Sequence, residues 1–165
     1  HIKFYILLFS REDGKSWELY TYRDGYLSIS PNRWTPDDLS KETQVTIIRT
    51  ERIRSWRHWA TAYPKCRDSM ADVIRQLVQK GKLVATPGRL QFEIMSADYI
   101  VDESHDVWLF EFNTSPVLKD PQDSPDVHDG DLIQGALSIV LPWEGGDPGL
   151  WEHALTCESV STELI

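Results

Sequence analysis

The chain has 165 residues, 41% of them hydrophobic, with 7 Trp, 6 Tyr and 5 Phe, enough for one domain with a real core. Its 26 acidic and 17 basic residues give a net charge of −9, which argues against nucleic acid as a partner. No apolar run approaches the ~20 residues of a membrane helix, so no membrane partner is expected either.

In chain order, "IKFYILLFS" (2–10) and "WELYTYR" (17–23) read as strands separated by turn-prone residues. "RDGY" (23–26) reads as a second turn into a short "YLSIS", giving an antiparallel meander. Residues 30–43 carry two prolines and read as loop, and "QVTIIRT" (44–50) as a further short strand. "SWRHWATAYP" (55–64) is ambiguous because Pro64 interrupts it. The clearest helix spans 67–80, where Met70, Val73, Ile74, Leu77 and Val78 form one apolar stripe. Asp68 or Ser69 is expected to cap its start, and Gly81 follows its end. Strands over 90–101 and 107–113 follow, joined by "DESHD". Loop residues 119–130 lead into a helix, "DLIQGALSIVL", that Pro142 ends. We expect one domain over 1–142 and a loosely structured tail over 143–165. The chain starts at His1 and runs straight into a strand, so we expect it to be a piece of a longer protein.

Two charge clusters stand out. Residues 49–57 hold four arginines and 120–131 hold five aspartates, and each reads most simply as a solvated segment. His58, His105, His128 and His153 show no ligand spacing and read as loop or surface residues. Cys66 and Cys157 form neither a disulfide framework nor a metal motif, which is compatible with a reducing cytosol.

Chemistry concentrates in "VWLFEFNTSP" (107–116). On a strand, Glu111 and Asn113 share one face with Val107 and Leu109, while Trp108, Phe110 and Phe112 take the other. Centring the hairpin turn between Ser104 and His105 sets Asp98 opposite Glu111 and Ser96 opposite Asn113. Asp98 then shares its face with Phe92, Ile94 and Ile100. Two carboxylates directly opposite each other cost on the order of 0.2–1 kcal/mol, so the pair calls for a cation or a shared proton. Asp, Glu and an Asn carbonyl are hard oxygen donors of the kind that suits Mg²⁺. A paired-carboxylate acid/base site and a plain solvent-facing sheet surface remain as alternatives.

Residues 90–118 closely resemble the tubulin-tyrosine-ligase-like family, whose catalytic domain is an ATP-grasp and whose return strand reads "LLEVNTSP" or a near variant. Lys3-Phe4 resembles that family's "KF", and "YTYRDGYLSIS" its "YREG" turn. The resemblance implies an α+β fold, a partial ATP-grasp built mainly on antiparallel sheet flanked by helices. It implies that Asp98, Glu111 and Asn113 hold Mg²⁺, that Lys3 contacts ATP, and that Ile100 and Phe110 flank the base unless they are plain core. The implied activity is ATP-dependent ligation of a free amino acid to a protein acceptor through an acyl phosphate, tubulin or microtubules being candidate acceptors. The implied location is cytoplasmic, at the cytoskeleton where tubulin is the acceptor.

The chain also departs from the family pattern. Where the family's first strand runs "KF-D-x-R", this one has Tyr5 and Leu7, and Ser28 stands where an arginine is usual. The "HLTN" stretch falls near 44–47, keeping Thr46 without the His and Asn. Positive charge near a transferred phosphoryl group stabilises its transition state. Activity therefore requires another arginine, with Arg11, Arg23 and Arg49 the candidates. The alternative is a catalytically degenerate relative that acts as a nucleotide-binding or protein-interaction module.

Overall fold

Strand β1 (Ile2–Ser10) is apolar at nearly every position because both of its faces are covered. Ile2, Phe4, Ile6 and Leu8 enter one core, while Tyr5, Leu7 and Phe9 enter a second on the other side of the sheet. Around it lie β2 (Ser16–Ile29), β3 (Arg49–Arg52), β4 (Gln91–Val101), β5 (Val107–Asn113) and β6 (Trp151–Glu158). All pairings are antiparallel, in the order β3–β2–β1–β4–β5, with β6 also beside β2. After a single turn, α1 (Lys41–Gln44), helix α2 (Trp59–Gln79) packs on the first core and α3 (Gly130–Val140) on the second. The architecture is α+β, as expected. This computed structural model describes residues 1–44, 49–118 and 129–159. Expectations for 45–48, for 119–128 with His128, and for 160–165 lie outside the described residues.

Three elements differ from the sequence reading. Residues 23–26 do not reverse the chain: β2 runs through them, and its register against β1 jumps between Phe4↔Gly25 and Ile6↔Thr21. The "turn" is a bulge. Gly25 is required there, since a Cβ would sit 2.4 Å from the Lys3 carbonyl oxygen. Helix α2 begins at Trp59 rather than at 67, so Asp68 and Ser69 are interior and do not cap it. Pro64 removes one helical hydrogen bond, a defect of ~3 kcal/mol in an isolated helix. Burial of Trp59, Ala62 and Tyr63 in the core outweighs it. The far end follows expectation. Gly81 at φ 63° closes the helix, Gly81 N–H bonding to Val78 O and Lys82 N–H to Leu77 O.

The third difference is β6. Residues 151–158, expected to be loose, pair with the first half of β2, and Trp151 is buried against α3 with its Nε1 donating to Leu132 O at 2.8 Å. A lone strand with mixed polarity is hard to read without the partner edge it completes. Gly135 lets α3 approach this closely: a Cβ there would stand 2.6 Å from Pro148 O and 2.8 Å from Trp151 Cδ1. Gly135→Ala gains about 1 kcal/mol of helix propensity. Against that, backbone and a pinned tryptophan must move. We expect a net loss of about 1–2 kcal/mol in urea unfolding, and equal or higher stability would contradict this packing.

Candidate functional site

The β4–β5 hairpin reaches its expected pairing by an unexpected route. Its turn has three loop residues, with Asp102 N–H bonded to Asp106 O and His105 in the left-handed region at φ 61°. Val101 therefore faces Val107 and Tyr99 faces Leu109, one residue off the expected register. Phe110 is then left out as a bulge, and the register recovers: Asp98 faces Glu111 and Ser96 faces Asn113. The bulge also corrects the face assignment. Val107 and Leu109 pack on the α2 core, opposite to Glu111 and Asn113. Trp108 and Phe110 come round to the side of Asp98. Ile100 and Phe110 are 48% and 68% exposed, so neither is plain core.

The three oxygen-bearing side chains meet. Asn113 Nδ2 donates to Asp98 Oδ2 at 3.1 Å and to Glu111 Oε1 at 3.3 Å. One amide thus offsets the repulsion of two carboxylates. Asp98 is buried and Glu111 exposed. From β1, Lys3 Nζ lies 3.4 Å from Asp98 Oδ1 and donates to Ser96 Oγ at 3.3 Å. The His1 ring adds Nε2 at 3.5 Å from the same Oδ1. Burial pushes the Asp98 carboxyl up, but contact with His1 and the Lys3 charge outweighs it and holds the group below the usual carboxylate range. Despite these neighbours, Oδ1 is buried and takes no well-formed hydrogen bond.

A second polar cluster adjoins the first. Asp129 precedes α3 without capping it, because its carboxylate turns to the sheet. Tyr26 donates to Asp129 Oδ1 at 2.6 Å and Tyr5 to Oδ2 at 3.5 Å. Burial, then contact with Asp129, raises both phenols far above their ordinary value, so they stay protonated donors. Arg52 Nη1 lies 3.6 Å from Asp129 Oδ1 and 3.5 Å from Asp24 Oδ2, its guanidinium 4.8 Å from the Tyr26 ring centre. Arg52 is the cation the sequence reading missed, grouped as it was with a solvated basic segment. Its opposition to Tyr26 across β2–β3 is a tertiary fact. Of the arginines proposed instead, Arg11 lies over the Phe9 ring at the other end of β1, and Arg23 lines a cavity beside α2. The side chain of Arg49 lies outside the described residues. His1 was also missed, although its spacing of two from Lys3 places it on the same strand face.

A family model described as the tubulin-tyrosine ligase family matches residues 37–144. The chain belongs to the tubulin-tyrosine ligase family. A comparison with curated proteins finds no match. The family points to ATP-dependent ligase activity on proteins, with Mg²⁺ as the usual metal and amino acids as co-substrates. The matched segment contains Asp98, Glu111, Asn113 and Arg52, whereas Lys3, Tyr5, Leu7 and Ser28 precede it.

The donor set fits the family's metal. Among the described residues no group of three His, Cys, Asp or Glu side chains is placed for a cation. Here the third ligand would be an amide. Two carboxylates supply charge, Asp98 Oδ1 supplies a buried lone pair without a hydrogen bond, and Asn113 can present its carbonyl oxygen by rotating the amide half a turn. The departures have a structural cause. Tyr5 and Leu7 are buried under α3 in the second core, where a charged side chain would lack solvent.

Proposed function

We propose that the chain binds Mg–ATP on the Asp98–Glu111–Asn113 face and joins an amino acid to a protein acceptor, tubulin or microtubules among the candidates, in the cytoplasm. The observation carrying this reading is the register that sets Asp98 opposite Glu111 with Asn113 bridging both. When bound, Mg²⁺ would offset the charge of the β- and γ-phosphates. Exposed Glu111 offers a carboxylate to solvent-borne Mg–ATP, while Asp98 is held ionised by His1 and Lys3. Lys3, 3.4 Å from Asp98 Oδ1, would turn from that carboxylate to a phosphate. Ile100 and Phe110 offer an apolar surface to the base. In the ligation, the acceptor carboxylate attacks the γ-phosphorus and ADP leaves. The amino-acid amine then attacks the acyl carbon, releasing phosphate and a proton.

A second reading is a family member that binds nucleotide without ligating. Burial of Tyr5 and Leu7 favours it, since neither position can offer a charge to the reaction centre. Arg52 favours the ligase, because it brings a guanidinium to the Tyr26 side of the sheet from β3. ADP release separates the two. For the ligase, ADP forms faster when tyrosine, glutamate or glycine is supplied with tubulin. Mg–ATP binding with no stimulated ADP release would leave the binding module.

A further inference from the structure

A cavity of about 750 Å³ opens where the start of α2, the bulge of β2, the segment before α2 and the start of β6 meet. None of Lys3, Asp98, Glu111 or Asn113 lines it. Its walls carry Arg23, Arg54, Arg57 and Arg67 against Asp24 and Glu152, a local charge of plus two in a chain of −9. Arg54 lies 3.6 Å from Asp24, and Arg67 is 2.9 Å from Asp68. Arg23 and Arg57 have no ion pair among the described residues, although Arg57 Nε donates to His58 Nε2 at 2.8 Å. Helix α2 adds its positive end: Trp59 and Ala60 line the cavity, its first turn has no acidic residue, and no side chain caps it.

We propose that this cavity binds a phosphate-bearing small molecule, at a site separate from the Asp98–Glu111 face. Its volume falls within the ~300–1,000 Å³ of small-molecule pockets. A phosphate monoester carries about −1.5 to −2 charges, opposite in sign to the excess of guanidinium over carboxylate here, and arginine grips phosphate through paired N–H donors. A compact dianion needs only the guanidinium groups of Arg23 and Arg57, both in the cavity lining, and no contact with Asp24 or Glu152. An extended acidic polypeptide would pass close to both. Trp56, also in the lining, offers an aromatic surface for any base attached to the phosphate.

Calorimetry with pyrophosphate and with AMP, both in EDTA so that no divalent cation is present, tests the assignment. Binding of either supports it. Tighter binding of AMP marks a nucleotide ligand, and tighter binding of pyrophosphate marks recognition of phosphate alone. The double variant Arg23→Gln, Arg57→Gln should weaken binding about tenfold or more. Both side chains are exposed and free of ion pairs among the described residues, so its unfolding curve should not move. Glu111→Gln should leave the affinity unchanged. No binding at millimolar ligand, undiminished binding by the double variant, or loss through Glu111→Gln would each overturn the site. Tighter binding of an oligoglutamate than of either phosphate compound would overturn it in favour of an acidic polypeptide.

Discussion

Glu111→Gln is expected to weaken Mg²⁺-dependent ATP binding by roughly a hundredfold while leaving the fold intact. The side chain is exposed on the edge strand β5, and its one described hydrogen bond comes from Asn113. Surface changes of this kind stay within about 0.5 kcal/mol in stability. Gln keeps the shape and an oxygen donor but removes a full negative charge from a cation site. Losing even an outer partner of a metal ligand costs ~10–100-fold in affinity, and a direct ligand should reach at least the upper end. Calorimetry with and without Mg²⁺ isolates the metal-dependent part. Unchanged Mg²⁺-dependent affinity would sink the assignment of Glu111. Asp98→Asn is a poorer probe, because it also strips Lys3 and His1 of their buried counter-charge.

The hairpin is legible in sequence for a reason that only the fold exposes. A three-residue turn and a bulge at Phe110 each shift the register by one, in opposite senses, so the Asp98–Glu111 pair survives both. What did not survive was the inference about faces, since every position between turn and bulge is inverted relative to a regular strand. Local periodicity located Met70, Ile74 and Val78 of α2 because one face of one helix carries that signal. It failed at Trp59, where tertiary burial overrides a proline, and at β6, whose order depends on the far edge of β2. Lys3 is placed by resemblance and Asp98 by the hairpin register, and β1–β4 pairing sets them directly opposite each other. Arg52 and Asp129 were invisible as a pair. They are 77 positions apart in sequence, and only the packing of α3 on the sheet brings them to 3.6 Å.

That pairing sets the largest stability effect we expect. Asp129→Ala removes the buried carboxylate that accepts hydrogen bonds from Tyr26 and Tyr5 and faces Arg52, whose side chain is only 17% exposed. Breaking one side of a buried ion pair costs ~3–5 kcal/mol, because the remaining charge keeps its desolvation penalty. A domain of this size has ~5–15 kcal/mol in total, so the variant should unfold at far lower urea concentration. Arg52 keeps Asp24 at 3.5 Å, which argues for the lower end of that range. Tyr26→Phe separates the components. It removes one hydrogen bond to a charged group and leaves the ion pair, so about 1.5–3 kcal/mol should be lost. If Asp129→Ala cost no more than Tyr26→Phe, the ion pair with Asp129 would add nothing measurable to the hold on Arg52, and the hydrogen bonds from the tyrosines would account for the loss. A larger loss for Asp129→Ala makes Asp129 the tie between α3 and the strand that carries Arg52. The guanidinium would then owe its place on the Tyr26 side of the sheet to a carboxylate 77 positions further along the chain.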